Sequence, residues 1–174
     1  MSFRTFIAML VPALLAGEWS APVHVLHEMQ PCVTYHAKVD GEHLVIEASI
    51  QPGWHTFTID NEKRAAERLA GKPSLGIDQP TQIKVEGLEL AGPWMELPPK
   101  DFSKPTLRWF SFGYEERALF AVKVKPASAK AAQISVRGQA CTDSTCKNID
   151  LTLTASTNPD KASVDISKLI PVRQ

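Results

Sequence analysis

From Thr34 onward this chain is dominated by short runs in which apolar and polar residues alternate, with turn residues between them. A period of two sends successive side chains to opposite faces of an extended strand, so each run buries one face only by packing against a second sheet. The runs are Thr34–Val39, His43–Ile50, Trp54–Ile59, Thr81–Glu86, Ala118–Lys125, Gln133–Ala140 and Asn148–Ala155. Their number, length and spacing predict an all-β protein, an immunoglobulin-like antiparallel β-sandwich, with a small closed barrel as the alternative. Asp40-Gly41 between the first two runs predicts a two-residue hairpin turn, with Gly41 supplying a positive φ.

One stretch breaks the pattern. Asp60-Asn61 is a capping signal for a short helix through Glu62–Ala70, which Gly71 ends and Pro73 keeps from resuming. This predicts a short helical insert whose mixed charges form a solvated face. The organisation expected is an export signal over 1–21, one β-sandwich domain over 22–156 and a tail over 157–174. The tail's amphipathic Val164–Ile170 is read as an edge strand, a helical turn or a mobile segment.

Arg4 precedes the uncharged run Phe6–Ala16, the order of a secretory signal, with cleavage after Ala16 or Ala21. The run is too short to span a bilayer, no later segment approaches that length, and the mature chain is expected to carry no membrane span. Export implies an oxidising, periplasmic or similar location. Lysine plus arginine equals aspartate plus glutamate at 19 each. That balance provides no broad basic face, so nucleic acid is not an expected partner. Repeats, phosphate-cradling glycine loops, Gly-x-Ser-x-Gly and His-Glu-x-x-His are all missing, and nothing points to a hydrolase.

Cys141 and Cys146 lie between the last two alternating runs, where a hairpin turns, so their thiols face each other across the tip. A ring this small contributes only roughly 2 kcal/mol by the chain-entropy estimate. It is a weak staple, which leaves a redox centre and a local structural disulfide as the two readings. Exchange requires a thiolate that attacks in line and a second thiol that resolves the mixed disulfide. Asp143 inside the ring disfavours a neighbouring thiolate and Lys147 beside Cys146 favours one, an asymmetry that selects Cys146 as nucleophile. Tyr35, His55 and Tyr114 are the next side chains considered near the site. The region from Trp94 to Tyr114 is rich in aromatics and prolines, which suggests either a core plug or a hydrophobic lid over the sulfurs.

Gly53-Trp54-His55-Thr56-Phe57, Pro80-Thr81, Pro98-Pro99-Lys100-Asp101-Phe102, Phe112-Gly113-Tyr114-Glu115 and Cys141-Thr142-Asp143-Ser144-Thr145-Cys146 follow one another in an informative order. In that order the chain resembles the N-terminal periplasmic domain of the DsbD thiol:disulfide interchange proteins over roughly residues 30 to 156. The resemblance implies an immunoglobulin-like sandwich that relays reducing equivalents through a Cys141/Cys146 pair, a protein-disulfide reductase activity if the pair is redox-active. It makes Cys146 the exchanging thiol, Cys141 its resolving partner and the stretch Pro105–Phe110 the cap, with Phe110 first and Trp109 second as the covering ring. It implies a thioredoxin-like protein or a membrane electron-transfer protein as donor, a periplasmic disulfide protein as client, and no cofactor. The chain departs from the family in having Lys147-Asn148 where some members have prolines, and in its helical insert. Two rivals remain: a non-catalytic exported sandwich with a structural disulfide, and a copper-binding protein using His24, His27 and Cys32, whose spacing fits no fixed ligand set.

Overall fold

The computed structural model describes residues 19–73, 76, 78–126, 130–157 and 164–174; most of the expected export signal lies outside them. The first sheet is formed by β1 (Val23–His27), β2 (Gln30–Asp40), β3 (His43–Ile50), β6 (Leu90–Glu96), β9 (Arg117–Val124) and β12 (Ile170–Pro171), in the order β1-β2-β3-β9-β6-β12. The second contains β4 (His55–Phe57), β7 (Lys100–Asp101), β8 (Phe112–Tyr114), β10 (Ala131–Cys141) and β11 (Cys146–Ser156), ordered β11-β10-β4-β8-β7, with β5 (Gln82–Glu86) also pairing β10. Every pairing is antiparallel, and the fold is the expected immunoglobulin-like β-sandwich.

Each of the seven alternating runs contains a strand, and β10 and β11 bury one face each in strict alternation. The interior between the sheets is filled by Val33, Tyr35, Leu44, Ile46, Phe120, Val122, Ile134, Val136 and Leu153, among others. The β2–β3 turn falls one residue later than Asp40-Gly41: Asp40 pairs with His43, and the two-residue loop is Gly41-Glu42, with Gly41 at φ 57°. β6 escapes the pattern because its register shifts between Leu90 and Trp94, across Gly92 and Pro93. β9 reads as a continuous apolar run because both its faces are covered. Leu119 and Ala121 join Val45 and Leu169 in a second cluster on the outer face of the first sheet, with Trp19, Val164 and Ile166 packed over it. The tail is thus an edge strand and a strap: Ile170 and Pro171 pair with Glu96 and Met95, and the Val172 N–H donates to the Trp94 carbonyl at 2.9 Å.

The helix α1 (Asn61–Leu69) forms where expected, but two readings of it need correction. Asp60 occupies the N-cap position without a capping hydrogen bond, since its carboxylate accepts instead from Arg64 Nε and from the Arg173 N–H at 2.9 Å. The charges are also not a simple solvated face. Arg64 is 6% exposed and reaches Glu96 Oε1 at 3.3 Å, while Arg68 pairs with Asp101 and Glu67 with Arg173. Glu96, fully buried, also accepts the Ile59 N–H at 3.0 Å. The helix is therefore pinned by a buried ionic cluster that also receives the end of the tail. Burial pushes the Glu96 carboxyl up to about 7, with the neighbouring Asp60 carboxylate adding to the rise.

Candidate redox site

β10 and β11 pair without a register shift from Ala131↔Ser156 to Cys141↔Cys146. In β10 the even-numbered side chains from Ala132 to Ala140 are buried, and in β11 the odd ones from Ile149 to Ala155 are. Alternation therefore places Cys141 and Cys146 on the outer face of the second sheet, away from the core. Facing each other across the last rung with Cα atoms 4.0 Å apart, they are joined as a disulfide. Within the tip the Thr142 N–H donates to the Thr145 carbonyl at 2.8 Å, and Thr142 Oγ1 accepts from the Ser144 and Thr145 N–H groups at 3.2 and 3.1 Å. The two sulfur-bearing residues are unequal: Cys141 is 2% exposed and Cys146 is exposed.

On the other side of β10, Cys141 pairs with His55 of β4. The His55 ring stacks on Phe102, centroids 4.7 Å apart and 20° from parallel, and meets Phe57 edge-on at 5.3 Å. Phe102 begins a small hairpin that continues the β7–β8 pair. Its N–H donates to the Ser111 carbonyl at 2.9 Å, Lys104 and Trp109 exchange backbone hydrogen bonds, and a 3-10 turn, Pro105–Leu107, forms the tip. The expected cap stretch is this tip and its returning strand. Trp109 anchors it by donating Nε1–H to Asp78 Oδ2 at 2.8 Å and lies against Gly76. Phe110 is half-buried. The ring that the structure sets beside the pair's neighbour is Phe102, which the sequence contained within a motif but did not single out. Its signal was position: a lone aromatic following Lys100-Asp101 at the hairpin's entry.

Asp143 is exposed at the tip and acts electrostatically on His55. Lys147 follows Cys146 directly in a strand, so it points to the opposite face, where its charge acts on Cys32. Cys32 is buried in the core and donates its thiol to the Val25 carbonyl at 3.2 Å; burial pushes that thiol up. Tyr35 is fully buried, and its hydroxyl is pushed up by burial; Tyr114 donates its hydroxyl to the Leu97 carbonyl at 3.1 Å. His24 is exposed with Nδ1 2.8 Å from Thr34 Oγ1, and His27 packs edge-on to Trp54. The residues of the rival copper reading are thus spread over both faces of their sheet, and no group of three potential metal ligands gathers among the described residues. No helix among them is long and apolar enough to cross a membrane. A shallow groove lined by His24, Leu26, Cys146, Lys147, Asp150 and Leu151 runs between the edge strands β1 and β11.

The class so defined is an immunoglobulin-like β-sandwich with a hairpin-tip disulfide on the outside of one sheet. Among solved structures it is similar to the N-terminal periplasmic domain of ScsB from Proteus mirabilis, with a TM-score of 0.58 and 14% identity over 84% of this chain and 55% of that one. It is also similar to the N-terminal domain of Neisseria meningitidis DsbD in its reduced form, with a TM-score of 0.51 and 12% identity over 73% of this chain and 86% of that one. The chain thus spans about half the length of the ScsB structure it matches. The likeness is one of fold, and it is the fold that the order of sequence motifs implied. Neither a family model nor a curated protein matches the sequence.

Proposed function

We propose that this chain is an exported thiol–disulfide exchange domain that passes reducing equivalents from a thioredoxin-like or membrane electron-transfer donor to a disulfide-bonded client through Cys141 and Cys146. The observation that carries the reading is the asymmetry of the pair. One sulfur-bearing residue is exposed to an incoming partner and the other is closed off, both outside the apolar cluster between the sheets, an arrangement that suits attack at Cys146 and resolution by Cys141. The 102–111 hairpin serves as the cap, with Trp109 as its anchor, Phe110 on its returning strand and Phe102 as the ring stacked on His55, the strand neighbour of Cys141. The periplasmic origin stated for the ScsB domain and the charge-then-apolar N-terminus support export.

With Cys141→Ser, Cys146 is expected to trap a thioredoxin-like partner as a mixed disulfide, seen as a reducible adduct on non-reducing gels. Equal trapping through Cys32 would remove the assignment. The pair's reduction potential is expected between about −270 and −120 mV, the range of working exchangers, whereas a value below about −300 mV identifies a structural staple.

The mature domain is expected to begin after Ala16, leaving residues 17–21 attached. Trp19 stacks on His36 with centroids 4.1 Å apart, and Ser20 bonds both backbone groups of Ala37 at 2.7 and 3.0 Å. N-terminal sequencing of the exported protein checks this, and a start at Pro22 would refute it.

A further inference from the structure

Cys146, Cys141 and His55 stand side by side on three adjacent strands, β11, β10 and β4. Directly opposed residues of an antiparallel pair share a face, with Cβ atoms about 4.5–5.5 Å apart. Cys141 is therefore flanked by its disulfide partner on one side and an imidazole on the other. His55 is half-buried between Phe102 and Phe57, which fix the plane of its ring. Cys141 itself is closed to solvent, so a proton leaving or reaching its sulfur has little access to bulk water.

We propose that His55 is the proton acceptor and donor for Cys141 in the exchange cycle. This deepens the exchange reading above and rests on it. In the reducing direction, the Cys146 thiolate attacks a client disulfide, forming a Cys146–client bond while the first client sulfur leaves as thiolate. His55 then takes the proton from the Cys141 thiol. The resulting thiolate attacks Cys146 Sγ, the mixed disulfide breaks, and the second client sulfur departs with the electron pair. The protein is oxidised to the Cys141–Cys146 disulfide, the client is reduced, and the imidazolium returns its proton to water. When one thiolate of a dithiol donor attacks Cys146 to recharge the pair, Cys141 leaves as thiolate and is protonated by the same route; the donor's second thiolate then attacks the donor sulfur of the mixed disulfide, Cys146 departs as thiolate and the donor is left as a disulfide.

The surroundings suit an imidazole that is neutral at rest. Burial holds His55 below its ordinary value; Asp78 before β5, Glu115 after β8 and Asp143 on the tip pull it up, and Lys104 on the hairpin pulls it further down. A neutral ring accepts protons, and a general acid–base role of this kind typically contributes about 10²–10⁴-fold.

The test uses the reduced protein and the aromatic disulfide 5,5′-dithiobis(2-nitrobenzoate), with absorbance reporting both release steps. The first phase is capture at Cys146 and the second is resolution by Cys141. His55→Phe keeps a ring against Phe102 and removes both nitrogens, and His55→Gln keeps a polar group of smaller size. Both variants are expected to slow the second phase at least tenfold at pH 7 with the first phase within twofold. The pH profiles differ as well: the second phase of the parent protein is flat above pH 7, whereas in the variants it climbs about tenfold per pH unit as a free thiol ionises. A second phase unchanged by both substitutions, or one slowed with an unaltered pH profile, overturns the role of His55. Failure of the parent protein to show two phases at all would instead remove the exchange reading.

Discussion

Arg64→Ala is expected to destabilise the protein by roughly 3–5 kcal/mol, the range for removing one member of a buried ion pair, read as a lowered denaturation midpoint. The guanidinium is the cation between two carboxylates that are themselves 5% and 0% exposed, Asp60 and Glu96. Without it, two acidic groups face each other in the interior. The damage spreads because the cluster joins three pieces of chain: the helix start through Asp60, β6 through Glu96 and the end of the tail through the Arg173 N–H. The same cluster sets a pH response. Glu96 binds its proton more tightly in the folded protein, at about 7 against an ordinary 4.5, so its contribution is complete below pH 4.5 and is lost as pH rises through 7. Thermal stability is expected to fall between pH 5 and 8 by an amount that Glu96→Gln abolishes. His55, held low by burial, acts in the opposite sense, its contribution lost as pH falls below 6.5, so the comparison of parent and variant isolates Glu96.

Gly113→Ala is expected to cost on the order of 3–4 kcal/mol, in the range of severe backbone clashes in a core. Gly113 lies between Phe57 of β4 and Lys100 of β7. A methyl group there would sit 1.9 Å from the Thr56 carbonyl oxygen and 3.2 Å from the Phe57 Cα. These are backbone atoms of a paired strand, so β4 and β8 must separate. Because β4 also carries His55, the loss of stability is expected with a change in the reactivity of Cys141. Equilibrium denaturation with parallel thiol titration measures both, and a midpoint within that of a surface substitution would show that the strands separate without cost.

The sandwich was legible because strands such as β10 and β11 bury one face each, and one-sided burial writes itself into sequence as alternation. β3 appears with the ends that alternation gave it, His43 and Ile50. β6 was not legible, since Gly92 and Pro93 interrupt its period where the register shifts, and β7 and β12, two residues each, are too short to show one. The cysteine pair was legible from its place between two alternating runs. Of the three side chains next considered near it, only His55 lies beside it; Tyr35 and Tyr114 lie in the core instead. Lys147 is next to Cys146 in sequence, but strand geometry turns it toward Cys32, while His55 and Phe102 come to the site through strand pairing and ring stacking. Helix α1 looked solvated because Arg64 meets Glu96 from another strand, a partner invisible to a local reading of charge.

The disulfide's position on the outer face of the second sheet has a mechanical consequence. Severing the bond removes no apolar contact from between the layers, and the two strands bearing the sulfurs stay laced by the ten rungs that precede them, Ala131↔Ser156 through Ala140↔Lys147. The bond at this corner can be opened while the scaffold stays at rest.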